Sequence, residues 1–214
     1  MQKPKSNHQL LKEWQKARPS YKPFSKDGVL SPEHYSKSNP KILYLLKESN
    51  GDFVEIAPIK AGSNGYGPRG NSNTFWRYMR GYEEVIRQAW NGSKYDDKVV
   101  RKVKENPNIN TAYLNLKKHC ENKSSSDMKD VNEYVKRDKD FLLKQIEIID
   151  PDVIYCAGTF NSFKILSSDL IQVEDKVYRS LERIVIDFYH LAHRKGYKTF
   201  PELYAILERA LKTV

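Results

Sequence analysis

Four short apolar runs separated by amphipathic segments predict an α/β protein with three layers, α/β/α, around a central, mostly parallel four-stranded sheet. Three observations carry that expectation. The runs at residues 42–46 and 152–157 are apolar almost throughout, as strands buried on both faces are. Between the runs, apolar residues recur three and four positions apart, the period of a helix with one face inward. A chain of 214 residues can bury a full core unaided, and its two cysteines, Cys120 and Cys156, are too few for a disulfide framework or a four-thiolate metal site.

Residues 1–40 read as a basic N-terminal extension to a domain spanning 41–214. Ser6 caps a helix reaching residue 18, with Leu10, Leu11, Trp14 and Ala17 as its apolar stripe. Pro19, Pro23, Gly28, Pro32 and Pro40 then break the chain into turns. This segment holds eight Lys or Arg against three acids, about half the net charge. The first strand, 42–46, stops at Lys47-Glu48-Ser49-Asn50-Gly51-Asp52, a dense polar exit. A long glycine-rich loop, 57–73, carries Tyr66 and Arg69; it matches neither a P-loop nor GxGxxG.

Asn73 or Thr74 opens a strongly aromatic helix with Phe75, Trp76, Met79, Tyr82, Val85, Ile86 and Trp90. A charged helix is expected over 96–105. The second strand, 109–116, alternates and ends at Asn115, followed by Lys117, Lys118 and His119. Met128, Val131, Val135, Leu142, Ile146 and Ile149 keep one helical face over a single long helix that Asp150-Pro151 ends. The third strand, 152–157, turns at Gly158-Thr159 into a short helix over 160–166, and Cys156 within that strand reads as buried. Residues 171–178 form a hairpin or a loop. The last strand, 183–188, leads into Tyr189, His190, His193 and Arg194. Thr199 and Glu202 make a capping box for a C-terminal helix with Leu203, Ile206, Leu207, Ala210 and Leu211 inward.

The formal charge of +10 and pI near 9.4 point to a polyanion such as nucleic acid, although a lysine-rich surface also serves solubility. No apolar stretch approaches a membrane span and no signal-peptide core follows the polar N-terminus, so a cytoplasmic protein is expected, with no membrane partner. His8, His34 and His119 have no partner in the pattern and read as surface groups.

In an α/β sheet, ligands bind outside the carboxyl ends of the parallel strands. Three strand exits converge there. They bring Glu48, Asn50 and Asp52 from the first, Asn115 and Lys118 from the second, and His190 with His193 from the last. A carboxylate, an amide and an imidazole on one edge can activate water, read a base-like ring and stabilise a developing anion.

The order of these pieces resembles the uracil-DNA glycosylase superfamily, closest to its bacterial and archaeal branch that often carries an iron–sulfur cluster. Lys47-Glu48-Ser49-Asn50-Gly51 stands where that branch has Gly-Glu-Ala-Pro-Gly. Leu114-Asn115-Leu116-Lys117-Lys118 stands for Thr-Asn-x-x-Lys. The segment from Pro151 to Gly158 is similar to the family's proline-to-glycine strand, and Tyr189-His190-Leu191-Ala192-His193-Arg194 stands at its His-Pro-Ser or His-Pro-Ala. The resemblance implies that Glu48 positions the attacking water, Asn115 reads the flipped base and His190 stabilises charge on the departing uracil. Residues after His190, among them His193 and Arg194, would wedge the DNA. Either Phe53 or Tyr66 would stack on the base. Lys47, Asn50 and Leu191 depart from the family's Gly, Pro and Pro. Two cysteines cannot hold a four-thiolate cluster, so no iron–sulfur centre, other cofactor or catalytic metal is expected.

The expected function is hydrolysis of the N-glycosidic bond to a flipped uracil or damaged base in DNA, as in base-excision repair, by a monomer. The alternatives are a catalytically silent nucleic-acid-binding member of the fold, or a nucleobase- or nucleoside-binding hydrolase that reuses the pocket.

Overall fold

The computed structural model describes residues 6–50, 74–103, 110–121, 126–191 and 196–212. Helix α1 (Asn7–Ala17) starts at Ser6, whose hydroxyl accepts from the Gln9 amide at 3.2 Å. There follow β1 (Gly28–Val29), α2 (Pro32–Ser36), β2 (Ile42–Asn50), α3 (Thr74–Trp90) and α4 (Asp97–Lys102). Asp96 caps α4 by accepting from the amides of Lys98 and Val99, which satisfies donors that a helix start otherwise leaves open. The chain continues through β3 (Thr111–Glu121), α5 (Met128–Arg137), α6 (Lys139–Ile149), β4 (Val153–Ala157) and α7 (Phe160–Leu166). It closes with β5 (Ile171–Glu174), β6 (Val177–Ser180), β7 (Arg183–Phe188), a 3-10 turn (Gly196–Thr199) and α8 (Phe200–Lys212).

The protein is α/β, but its sheet is mixed and has seven strands in the order β1-β3-β2-β4-β7-β6-β5, not four. Strands β3, β2, β4 and β7 run parallel at its centre. The other three are antiparallel and short. β1 is two residues long, too short for any alternation to register. The β5–β6 hairpin turns through Lys176 at φ 58°, a conformation for which glycine or asparagine is the usual signal.

Two apolar layers flank the sheet. On one face Tyr44, Tyr155 and Phe188 meet Tyr82 of α3 and Phe200 of α8, with ring centroids 4.8–6.2 Å apart and tilted or edge-on. Gly81 lets α3 and α8 approach: a Cβ there would lie 2.3 Å from the Phe200 ring. On the other face Leu43, Leu45, Leu114, Ile154 and Val185 pack against α1, α5, α6 and α7. Residues 6–40 belong to this body. Leu10, Leu11 and Trp14 are buried, Trp14 stacks on Phe141 at 5.1 Å, and β1 pairs with β3.

The long helix expected from 128 to 149 is two helices, broken at Asp138. That carboxylate is buried and accepts from Arg18 Nε and the Tyr21 hydroxyl, both at 2.8 Å. Val135 and Leu142 stay on the inward side of the break, so the apolar period runs through it unmarked. Strand β3 also runs on beyond residue 116 to Glu121, through residues whose polarity suggested an exit. Among the described residues no helix is long and apolar enough to cross a membrane.

Candidate functional site

The chain leaves β2 for β3 on one side, then crosses back to β4 on the other side of β2. The switch point of the parallel strands therefore lies between the carboxyl ends of β2 and β4, where open α/β sheets place their ligands. Thr159, fully buried just after β4, fastens the two by donating from Oγ1 to the Leu45 carbonyl at 2.8 Å. Gly158 sits at φ +70°, a left-handed conformation that glycine tolerates and most residues do not. Its amide donates to the carbonyls of Cys156 and Phe188, which pins the loop to the end of β7.

His190 stands just beyond β7, half-buried. Its ring centroid lies 6.3 Å from that of Phe75 in the first turn of α3. A Cβ on Gly158 would have His190 Cβ and N as its nearest neighbours, each at 3.9 Å. The Tyr155 hydroxyl donates to the Tyr189 carbonyl at 2.9 Å and so fixes the exit of β7.

Glu48 occupies the carboxyl end of β2. With β4 between them, β2 and β7 are two strand spacings apart, about 9–10 Å. Glu48 and His190 thus stand at the ends of the two strands that border β4. The Glu48 side chain is 2% exposed, and its Oε2 is 3.2 Å from Nζ of Lys117, the residue beside it in register on β3. Among the described residues Oε2 accepts no hydrogen bond. Lys117, itself 1% exposed, bonds Asp130 Oδ2 of α5 at 2.5 Å and lies 4.8 Å above the Tyr134 ring. One ammonium therefore bridges two carboxylates. The residue adjacent in sequence, Lys47, is not the ion-pair partner found here.

Asn115 and Lys118 are engaged elsewhere. Both are buried and converge on Asp27, whose carboxylate is closed off from solvent. Lys118 Nζ donates to both Asp27 oxygens, at 2.6 and 2.8 Å. The Asn115 amide and Nδ2 donate to Oδ2 at 2.8 and 3.1 Å, and Gln145 Nε2 to Oδ1 at 2.9 Å. Asn115 Nδ2 also reaches Ser25 Oγ at 3.2 Å. Burial pulls the Lys118 ammonium below the usual lysine range, and the Asp27 charge opposes that. The Asn115 and Lys118 donors are thus turned onto the N-terminal segment.

No protein-family model matches this chain, and no curated protein does. The chemistry of the site must be read from its own residues.

Of the other residues expected to bind substrate, Asp52, Phe53, Tyr66, His193 and Arg194 lie outside the described residues, as does the side chain of Asn50. Ser49 reaches the Cys120 thiol, and burial pushes that thiol up, which leaves it a poor nucleophile. Among the described residues no three His, Cys, Asp or Glu side chains are grouped as metal ligands. Sequence reasoning missed Lys117, Asp130 and Asp27. The first had one usable signal: it lies in the polar exit of β3, the strand paired with the one that carries Glu48.

Proposed function

We propose that the chain is a uracil-DNA glycosylase-like protein that hydrolyses the N-glycosidic bond of a flipped uracil or damaged base in DNA. The parallel centre of the sheet, β3-β2-β4-β7, would be its glycosylase-like core. The observation that carries the reading is Glu48: a buried carboxylate at the carboxyl end of β2, its Oε2 held 3.2 Å from the Lys117 ammonium. A carboxylate is acceptor-only, so beyond the oxygen paired with Lys117 it retains lone pairs that can orient a water.

In this reading Glu48 accepts a proton as that water adds to C1′ of the sugar. The C1′–N bond breaks, its electron pair leaves on the base, and His190 donates a hydrogen bond to the base oxygen where charge collects. The base then takes up the proton and an abasic sugar remains. The +10 charge suits a DNA partner, and base-excision repair would be the setting.

A binding module of the same fold is favoured by a different observation, the engagement of Glu48 with Lys117 inside the protein. Base release separates the two readings. An oligonucleotide with one uracil, single- and double-stranded, is incubated with excess protein and treated with alkali to cut at abasic sites. Glycosylase activity predicts cleavage that Glu48→Gln and His190→Ala each abolish with folding intact. Tight, salt-sensitive binding without cleavage would replace the enzyme with the binding module.

A further inference from the structure

Among the described residues Lys117 is the ion-pair partner of Glu48, and it is itself held by Asp130. Its ammonium makes the shorter contact with Asp130, 2.5 Å, and the longer one, 3.2 Å, with Glu48. Asp130 stands in the first turn of α5, which Asp127 caps through the Lys129 amide at 2.9 Å, so its backbone is well anchored. Tyr134, one turn further along α5, lies under the same ammonium and restricts where the lysine stem can lie. Lys117 and Glu48 are register partners across β3 and β2, so the pair meets without either long side chain crossing the fold.

We propose that Lys117, clamped by Asp130, is a positioning residue for Glu48 in the base-release reaction. The proposal rests on the glycosylase reading of the same site. An isolated buried carboxylate is costly and can relieve that cost by swinging toward solvent or by taking up a proton. Either response would take away the oxygen that orients the water. Asp130 acts one step further back: its side chain is 39% exposed, so its loss spares the core but frees Lys117 to move off Glu48. Neither residue touches the base or the sugar in this scheme, so their loss is felt in the chemical step and not in DNA affinity.

The test is single-turnover release of uracil at saturating protein, read beside oligonucleotide affinity, for wild type, Glu48→Gln, Lys117→Met, Lys117→Arg and Asp130→Asn. A misplacement of about 1 Å at a reacting group costs on the order of 100-fold in rate. Lys117→Met is expected to lose about that much with affinity nearly unchanged, and Lys117→Arg to restore most of it. Asp130→Asn should fall between, and its half-exposed position keeps it informative should Lys117→Met not fold. Wild-type rates in Lys117→Met or in Asp130→Asn, with Glu48→Gln dead, would overturn the positioning role alone. Equal losses of rate and affinity would also overturn it, by making Lys117 a DNA contact. A wild-type chain that releases no base would overturn the glycosylase reading and this role together.

Discussion

Replacing Asp27 by alanine should cost more stability than any other polar substitution in the N-terminal segment. The Asp27 carboxylate receives five contacts shorter than 3.2 Å: two from Lys118 Nζ, two from Asn115 and one from Gln145. Its removal leaves an ammonium with a fully buried side chain without its carboxylate and takes an acceptor from three neutral donors. Breaking a buried pair from one side costs about 3–5 kcal/mol, a large part of the 5–15 kcal/mol typical of whole domains. At about 2–4 °C per kcal/mol for a chain of this size, Tm should fall by roughly 6–20 °C. The assay is urea unfolding followed by tryptophan fluorescence, with Trp14 as a near reporter because Lys118 Nζ lies 5.1 Å from its ring. Lys118→Met alone should also destabilise. The double variant should lose less than the sum of the two, with a coupling of about 2 kcal/mol or more, since no lone charge is then left buried. A loss below about 1 kcal/mol for Asp27→Ala, or an additive double variant, would refute the claim that this pair locks residues 6–40 to the sheet.

Two further predictions concern the aromatic layer and pH. Gly81→Ala should destabilise by about 1–3 kcal/mol, because its methyl would meet the Phe200 ring and that ring is packed against Tyr82; a Tm at or above wild type would show that the ring can yield. Stability should fall as pH rises above 10, because burial and the Asp138 carboxylate push Tyr21 up to about 12 and burial also raises Tyr44 and Tyr155. The sign follows from proton counts. Between pH 10 and 12 the unfolded chain has released protons that the folded chain keeps, so stability falls as pH rises through that window. Urea midpoints measured at pH 9 and pH 11 check this, and Tyr44→Phe should flatten the slope. Equal midpoints in wild type would contradict it.

How far the fold could be read from sequence depended on what each element buries. The four central strands were legible because each carries an apolar core run. The sequence pattern ends β3 near residue 116, since Lys117, Lys118 and His119 look like a loop when their partners are unknown. Within the fold those two lysines stay in the strand because Glu48, Asp130 and Asp27 neutralise them. Asp138 hid a helix break for a related reason: the groups that hold it, Arg18 and Tyr21, are more than a hundred residues away in sequence. At the candidate site, Glu48 and His190 are singled out by a positional rule, that chemistry gathers at the carboxyl ends of parallel strands. Lys117 lies in such an exit too, but neither it nor Asp130 of α5 stands out until the fold brings both to Glu48. Asp27 sat in a stretch rich in prolines and lysines, where nothing local distinguishes a buried carboxylate from an exposed one.

The measurement that bears most directly on the central claim is detection of free uracil by mass spectrometry after incubation of the protein with a uracil-containing oligonucleotide. Wild type should release uracil and leave an abasic strand, while Glu48→Gln, folded and still bound to the DNA, should release none. Absence of free uracil at a large excess of wild-type protein, or equal release by wild type and Glu48→Gln, would contradict the role assigned to Glu48 at the switch point.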